Sequence, residues 1–299
     1  MTISAQIGNI LLNMKVIKNI SLMQQIVKTL HTKHKTIGLV PTMGALHEGH
    51  ISLVKKARKE NDIVIVSIFV NPAQFGPKED YLRYPRPFNK DSKLCKQNGI
   101  DYIFNPTVKE MYPADYLTYV KVEKMSDILC GKFRPGHFKG VATIVAKLFN
   151  ITQPDRAYFG EKDFQQLTII KKMVSDLNFP VKIVPCPTLR EKDGLAMSSR
   201  NIYLKPEERK VANKIHRSLS NVKDIVKKKN ERNIKKLLSE LKSQLGSTPG
   251  LKNQYINIIK PLTLEEEKND IHYPARIVFA GYLGKTRLID NIEIKEQTK

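Results

Sequence analysis

The chain has 299 residues, 41% of them apolar and 27% charged, proportions that are ordinary for a folded globular protein and exclude disordered and collagen-like chains. No apolar stretch reaches the roughly 18–20 residues that a membrane-spanning helix needs, so we expect no membrane partner. Lys and Arg (51) outnumber Asp and Glu (29), and the resulting formal net charge of +22 raises the hypothesis of a nucleic-acid partner.

Strands alternate with helices from Ile37 onward, and we interpret residues 1–13 as an extension preceding Met14. The predicted strands are Ile37–Val40, Ile63–Val70, Tyr102–Phe104, Ala157–Phe159 and Val181–Val184. Helical patterns run from about Gly49 to Asn61 and over Val141–Phe149. Because Ile63–Val70 is apolar apart from Ser67, it is typical of a strand buried on both faces of a parallel sheet. The alternation predicts a doubly wound, Rossmann-like α/β sheet.

The pattern changes after Pro187, where we place the boundary between a domain 1–188 and a smaller domain 189–299. Residues 205–245 contain 13 Lys and Arg against 5 Asp and Glu, and their apolar residues recur at helical spacing. These apolar positions are Val211, Ile215, Leu219, Val222, Ile225, Ile234, Leu237, Leu238 and Leu241. Two strands, Tyr255–Ile259 and Arg276–Ala280, follow. The segment therefore predicts two basic amphipathic helices in a C-terminal α+β domain.

The cysteines indicate the cellular compartment, and the distribution of the lysines indicates whether a nucleic acid is a partner. Cys95, Cys130 and Cys186 lie far apart without CxxC or Cys/His spacing, which argues against disulfides and a zinc site and predicts the cytoplasm. We interpret the lysines of 205–245 as a solvated helix face, because no nucleic-acid-binding signature accompanies them. We therefore expect no nucleic-acid partner, although nucleotides would be attracted by this charge.

The segment PTMGALHEGH, residues 41–50, lies where the first predicted strand turns into a helix. Open α/β sheets bind ligands at such turns, and the first N–H groups of a helix favour phosphate. His47 and His50 could both reach one polyphosphate, and Gly49 removes a side chain that would obstruct the nucleotide. Their ordinary pKa near 6.5 suits either acid catalysis or an electrostatic role. The alternative is a pair of structural histidines.

Two further segments offer phosphate ligands. Asp193-Gly194 predicts a turn before Ser198, Ser199 and Arg200, whose hydroxyls and guanidinium suit a phosphate-binding loop. In the segment FGEKDFQQ, Lys162 is a natural partner for phosphate. Asp163 could bind ribose hydroxyls and could also cap the following helix with Gln166 in a capping box, since the two roles are compatible. These spacings predict a nucleotide site assembled from separate loops.

Polar side chains also follow the second predicted strand, in the segment VNPAQFG. Gln74 at this position suits hydrogen bonding to a hydroxyl or a carboxylate of a substrate. The alternative for an isolated glutamine is ordinary polar surface.

Five segments in this order resemble the pantoate–β-alanine ligase family, one of the HxGH nucleotidylyltransferases. They are PTMGALHEGH, FVNPAQF followed by YPR, GHFKGVATIVAKLFN, FGEKDFQQL and REKDGLAMSSRN, and the resemblance runs from about Met14 to the C-terminus. It implies an ATP-dependent ligase that joins pantoate to β-alanine through a pantoyl adenylate, with ATP as substrate, Mg²⁺ as cofactor and a homodimer as the assembly. The products are AMP, pyrophosphate and pantothenate, the precursor of coenzyme A.

The resemblance also implies roles for individual residues. His50 matches the proton donor, His47 and Lys162 would contact phosphate, Asp163 would contact ribose, and Gln74 and Gln166 would hold pantoate, with Gln74 also near β-alanine. The residues that match the ATP site are Met43, Gly44, His47, Gly49, His50, Gly160, Glu161, Lys162, Asp163, Leu189, Met197, Ser198, Ser199 and Arg200. Around Asp91 the chain has fewer acidic residues than relatives often have. Protein ligands of Mg²⁺ are therefore left open, with ATP oxygens and water as the alternative.

Two other functions compete with this interpretation. Another HxGH nucleotidylyltransferase would need a pocket for an acceptor phosphate and would not need the glutamines of FVNPAQF and FQQL. An RNA-binding module related to class I aminoacyl-tRNA synthetases would need an anticodon-binding appendage and the lysines of a KMSKS loop. The C-terminal segment is short for such an appendage, and the loop here reads MSSR.

Overall fold

The main sheet is parallel and six-stranded in the computed structural model, which describes residues 14–77 and 79–296; the predicted extension 1–13 lies outside the described residues. Its strands are β1 (Lys15–Ile17), β2 (Ile37–Thr42), β3 (Ile63–Ile68), β4 (Tyr102–Phe104), β5 (Arg156–Gly160) and β6 (Lys182–Cys186). They lie side by side in the order β1-β4-β3-β2-β5-β6. The predicted doubly wound sheet is therefore confirmed.

Seven helices among the described residues accompany this sheet. They are α1 (Ile20–Thr32), α2 (Glu48–Glu60), α3 (Phe88–Gln97), α4 (Val108–Met111), α5 (Cys130–Phe133), α6 (His137–Thr152) and α7 (Phe164–Asp176). One face of the sheet packs with α1, α6 and α7, and the other with α2 and α3. Alternate residues of each inner strand enter opposite cores, Leu39 in the first and Val40 in the second. Burial on both faces explains the unbroken apolar strand sequences.

The order of the strands reverses at β2. Along the chain β3 and β4 are added on one side of β2, whereas β5 and β6 are added on the other, with Gly38 facing both Val64 and Arg156. Ligands of open α/β sheets bind at such a reversal, outside the carboxyl ends of the strands. The segments that follow Thr42 and Gly160 are brought together at this point, and they carry two of the predicted phosphate-binding motifs.

The C-terminal part contains helices α8 (Pro206–Ala212), α9 (Lys214–Lys229) and α10 (Ile234–Gly246), then strands β7 (Leu251–Ile259), β8 (Ala275–Leu283) and β9 (Thr286–Ile294). The strands form an antiparallel sheet in the order β7-β8-β9. The apolar faces of α9 and α10 share a core with this sheet, while most of their lysines are exposed. The predicted α+β character is confirmed, but the basic segment forms three helices rather than two.

Some elements were not predicted, and one prediction is not tested. The sequence analysis missed α1, α3, α4, α5, β1 and β9, and the boundary at residue 188 stays a prediction. In the part of the chain that the structure describes, no helix is long and apolar enough to cross a membrane.

The packing of α6 against the loop after β3 generates a test. A Cβ atom on Gly140 would lie 2.1 Å from the carbonyl oxygen of Ala73, so Gly140→Ala must push α6 away from the turn that carries Gln74. We expect a loss of about 1–3 kcal/mol in the free energy of unfolding, measured by urea denaturation. The matched control is Gly246→Ala, because a Cβ there would meet no atom within 4 Å. Equal stability of the two variants would contradict this account.

Candidate active site

Two histidines cap the helix that follows β2. His47 is the N-cap residue of α2, and its Nδ1 accepts a hydrogen bond from the backbone N–H of Gly49 at 3.1 Å. The Nδ1 of His50 accepts in turn from the backbone N–H of His47 at 3.3 Å. A neutral imidazole whose Nδ1 accepts a hydrogen bond carries its proton on Nε2. Both rings, with centroids 4.1 Å apart, are therefore fixed as Nε2–H donors at the helix N-terminus.

The charge state of these rings follows from their burial. Burial, with the nearby positive charge of Lys162, lowers the pKa of His47 to about 4. Burial also lowers the pKa of His50 to about 3, with His47 and Lys162 as further causes. Both values lie well below the ordinary imidazole pKa assumed from the sequence. At neutral pH the pair consists of two neutral hydrogen-bond donors.

A side chain at Gly49 would collide with His47, independently of any nucleotide. A Cβ atom at this position would lie 2.8 Å from Cε1 of His47. That contact would displace the ring that caps α2. Gly49 therefore fixes the orientation of His47 as well as leaving space beside the cavity.

The turn between β2 and α2 is held by a carboxylate that the sequence analysis considered only as a metal ligand. Asp91 of α3 is buried, and its two oxygens accept the backbone N–H groups of Ala45 and Leu46, each at 2.8 Å. Gly44 and Ala45 have φ angles of +81° and +50°, and a Cβ at Gly44 would approach Asp91 Oδ2 to 3.0 Å. Burial raises the pKa of Asp91, and the two N–H groups oppose this effect. The carboxylate thus anchors the loop.

The segment after β5 presents Lys162 and Asp163 to the same space. Residues Glu161–Asp163 form a single 3₁₀ turn, and Lys162 Nζ lies 4.0 Å from Asp163 Oδ2. Asp163 is the N-cap residue of α7, but its side chain makes no capping hydrogen bond. The capping box considered with Gln166 is therefore not formed, and Asp163 lines the cavity instead.

The third segment that the sequence predicts to bind phosphate is a hairpin. Its turn contains Gly194 at φ +99°, as the sequence predicted, and the N–H of Met197 donates to the carbonyl of Leu189 at 3.0 Å. The Ser198 Oγ accepts from the N–H of Arg200 at 3.2 Å. Leu189 and Met197 thus lie side by side, and the two serines begin the 3₁₀ turn after the hairpin.

Arg200 makes a two-point ion pair with Asp80. Its Nε and Nη2 atoms donate to the two oxygens of that carboxylate, at 3.1 and 3.0 Å. This pair and the contact of 3.2 Å between Tyr84 and Ser199 join the 198–203 turn to the segment before α3. The guanidinium uses one edge for Asp80, so Nη1 is left as a donor.

A buried network positions Gln74. The side chain of Asn71 donates to Gln74 Oε1 and to the carbonyl of Gly140, each at 3.1 Å. His137 Nδ1 donates to the carbonyl of Gln74 at 2.7 Å. Burial, followed by the charge of Arg134, lowers the pKa of His137 to about 3, so its Nε2 is the acceptor for Arg134 at 3.0 Å.

These segments enclose one cavity of about 230 Å³ at the carboxyl ends of β2 and β5. The predicted residues that line it are Met43, His47, Gly49, His50, Gln74, Gly160, Lys162, Asp163, Gln166, Leu189, Met197, Ser198, Ser199 and Arg200. Gly44 and Glu161 do not line it: Gly44 shapes the turn, and the Glu161 carboxylate lies 3.5 Å from Arg276. The arrangement offers hydrogen-bond donors and two cations to a polyphosphate.

The sequence analysis missed several residues that line the cavity. Asn71, Tyr84, Arg134 and His137 belong to this set. Asn71, Tyr84 and His137 stand in segments already quoted, so the signal was present, but no local pattern assigned them a role. Arg134 lies just before such a segment and pairs with Glu79 at 2.6 Å, a contact between residues 55 positions apart.

Comparisons with known proteins agree across nearly the whole chain. A family model described as pantoate-beta-alanine ligase matches residues 15–293. The chain is 54% identical to a pantothenate synthetase of Caldicellulosiruptor saccharolyticus, over 94% of this chain and 100% of the relative. It resembles the crystal structure of pantothenate synthetase from Thermus thermophilus with a TM-score of 0.89, at 43% identity over 94% of this chain and 100% of that one. A pantoate-beta-alanine ligase of Francisella tularensis, solved with beta-gamma ATP and beta-alanine, matches with a TM-score of 0.76, at 42% identity over 94% of this chain and 97% of that one.

The charge state of the two histidines can be measured directly. We expect nitrogen-15 NMR to show His47 and His50 protonated only on Nε2 at pH 7, with midpoints near 4 and 3. Because the unfolded chain binds these protons near pH 6.5 and the folded chain does not, the free energy of unfolding should fall as pH decreases from about 6.5 towards 4. His47→Asn and His50→Asn assign the signals. A midpoint near 6.5 for either ring would refute the description.

Proposed function

The chain belongs to the pantoate–β-alanine ligase family, whose ATP-dependent condensation of pantoate with β-alanine to pantothenate it catalyses, and we propose which of its residues carry that reaction. The observation that supports the assignment is the pair of fixed Nε2–H donors, His47 and His50, facing Lys162 across the reversal of strand order.

In the first step proposed, a carboxylate oxygen of pantoate attacks the α-phosphorus of ATP. The bond from that phosphorus to the bridging oxygen breaks, and pyrophosphate leaves pantoyl adenylate behind. Negative charge accumulates on the phosphates during this step, so preorganised donors are the main requirement. His47, His50 and Lys162 supply them from one side of the cavity, and the 198–200 segment supplies them from the other.

The neutral state of the histidines defines their role in this step. With pKa values of about 4 and 3, the rings act on ATP by donating Nε2–H hydrogen bonds rather than by carrying a full positive charge. The phosphates of bound ATP would raise both pKa values, since an opposite charge favours the protonated form. His50 can therefore act as the proposed proton donor only after ATP has bound.

Arg200 can contact phosphate without releasing Asp80. The ion pair uses Nε and Nη2, and Nη1 remains for the ligand. Asp80 then serves to orient the guanidinium. The same phosphates are also contacted by Met197, Ser198 and Ser199 of this loop. Asp163 accepts hydrogen bonds from the ribose hydroxyls.

In the second step proposed, the amine of β-alanine attacks the acyl carbon of the adenylate. The bond to AMP breaks, the amine loses a proton, and pantothenate is released. Gln74 and Gln166 hold pantoate during both steps, and apolar residues of α6 such as Val141 and Val145 line the same cavity. They provide an apolar surface for the methyl groups of pantoate.

The proposal includes Mg²⁺, a homodimer and a cytoplasmic location. We propose that Mg²⁺ enters with ATP, held by phosphate oxygens and water, because both oxygens of Asp91 accept backbone N–H groups. Among the described residues, no group of three His, Cys, Asp or Glu side chains could hold a metal ion. The homodimer is supported by the family resemblance alone. The three buried cysteines are free, which suits a reducing compartment.

Pyrophosphate release tests the function. We expect a stoichiometric burst from ATP with pantoate alone and continuous release of AMP and pantothenate once β-alanine is added. A burst that requires pantoate identifies the adenylate as the first product. If folded protein releases no pyrophosphate in response to pantoate, the proposed reaction is wrong and another HxGH nucleotidyl transfer is favoured.

Two substitutions test the assigned donors. We expect His50→Ala and Lys162→Ala each to lower kcat by about 10²–10³-fold, the usual cost of removing one donor from a developing oxyanion. Both variants should remain folded, and His50→Ala should melt somewhat lower because it removes the acceptor for the backbone N–H of His47. The matched control is Lys171→Ala, since this exposed lysine lies on α7 outside the cavity. Wild-type turnover in either site variant would show that the residue does not have its assigned role.

A further inference from the structure

The side chain of Asn291, on strand β9, reaches the turn that carries Lys162. Its Nδ2 donates to the carbonyl oxygens of Glu161 and Lys162, both at 2.9 Å. Its Oδ1 accepts from Arg276 Nη1 at 2.6 Å, which fixes the orientation of the amide. The residue is only 6% exposed. One buried amide of the C-terminal sheet therefore satisfies two successive carbonyls at the proposed phosphate site.

The preceding residue holds the other phosphate-binding segment. Asp290 is 4% exposed, and its oxygens accept from Arg190 Nη1 and Nη2, at 2.7 and 2.9 Å. Arg190 also donates to the carbonyl of Gly194 at 3.1 Å and pairs through its backbone with Ala196. Asp290 thus anchors the base of the hairpin that leads to Ser198 and Arg200.

Successive residues of a strand point to opposite faces, so Asp290 reaches the hairpin while Asn291 reaches the Glu161–Asp163 turn. Strand β9 therefore lies between two segments that are proposed to bind the same ligand. Arg276 of β8 adds a second contact to the first segment, with its guanidinium carbon 3.8 Å from the ring centre of Phe164. The Glu161–Asp163 turn is short and has no side-chain cap at its start. Without Asn291, two of its carbonyls would lose their hydrogen-bond donor.

We propose that Asn291 is a positioning residue for Lys162 and that, with Asp290, it sets the separation between Lys162 and Arg200. The inference rests on the proposed function, in which both cations contact the phosphates of ATP. Asn291 itself does not line the main cavity, so it acts through the backbone of Lys162. A misplacement of about 1 Å in a catalytic group can lower a rate by about 10²-fold. The effect of Asn291 should therefore appear in turnover as well as in stability.

Asn291→Asp is the first variant, because it keeps the shape and the acceptor for Arg276 but replaces the amide donor with an acceptor. We expect kcat for pantoate-dependent pyrophosphate release to fall by about 10–100-fold and ATP binding to weaken, with little change in the KM for β-alanine. Asn291→Ala removes the donor without adding a charge and should lower kcat in the same direction.

The matched control is Asn61→Asp. The Asn61 amide is also buried and also donates two hydrogen bonds, to the Ala57 carbonyl and the Tyr158 hydroxyl, but it precedes β3 at the opposite edge of the sheet. We expect it to lower the melting temperature without lowering kcat, measured well below that temperature. If both Asn291 variants keep wild-type kcat while melting lower, Asn291 has only a structural role and the proposal is wrong.

A double-mutant cycle decides whether Asn291 acts through Lys162. ATP affinity is measured by calorimetry for Lys162→Ala, Asn291→Ala and the double variant. We expect the double variant to bind ATP as Lys162→Ala does, because the positioned group is already absent. Independent, additive losses would overturn the proposal. Since this readout needs only ATP, it remains decisive if the pantoate-dependent assay fails, a result that would count against the proposed reaction instead.

Discussion

The carboxylate of Asp91 accepts the backbone N–H groups of Ala45 and Leu46, and the geometry of the site depends on this contact. A buried carboxylate is costly unless hydrogen bonds satisfy it, and N–H groups shielded from water are costly without an acceptor. Their pairing holds Gly44 and Ala45 at positive φ. It thereby sets the direction in which the chain enters α2. The orientation of His47, and through it that of His50, follows from that direction.

The distribution of charge explains how a strongly basic protein has a site with few cations. Among the described residues that line the cavity, the basic side chains with a fixed charge are Arg134, Lys162 and Arg200. Arg134 is paired with Glu79 and Arg200 with Asp80, and burial keeps the histidines neutral. Most lysines of α9 and α10 are exposed. The site therefore relies on oriented donors, while the net charge of +22 contributes a long-range attraction for acidic ligands that salt screens.

The sequence predicts those features that depend on neighbours in the chain. Apolar strands, the helix after His47 and the turn at Gly194 follow from local patterns, and the segments that follow β2 and β5 meet because parallel strands end at one edge. It does not predict contacts such as Asp91 with Ala45, since nothing local to either residue requires the other. The same reason explains why β9 was missed: its buried residues include Asp290 and Asn291, which break the apolar alternation because they serve other segments.

Asp290 and Asn291 connect the C-terminal sheet to the site. The place of this sheet in the sequence, after all the predicted nucleotide motifs, does not suggest such a connection. The main sheet sets where the segments after β2 and β5 begin, since both continue directly from its strands. The hairpin after β6 has no such support, because Pro187 follows the last strand and the chain leaves the sheet. Asp290 supplies the missing anchor through Arg190, and Asn291 connects that anchor to the turn of Lys162. The small antiparallel sheet thus links two segments that are proposed to bind phosphate, and the parallel sheet alone does not fix their separation.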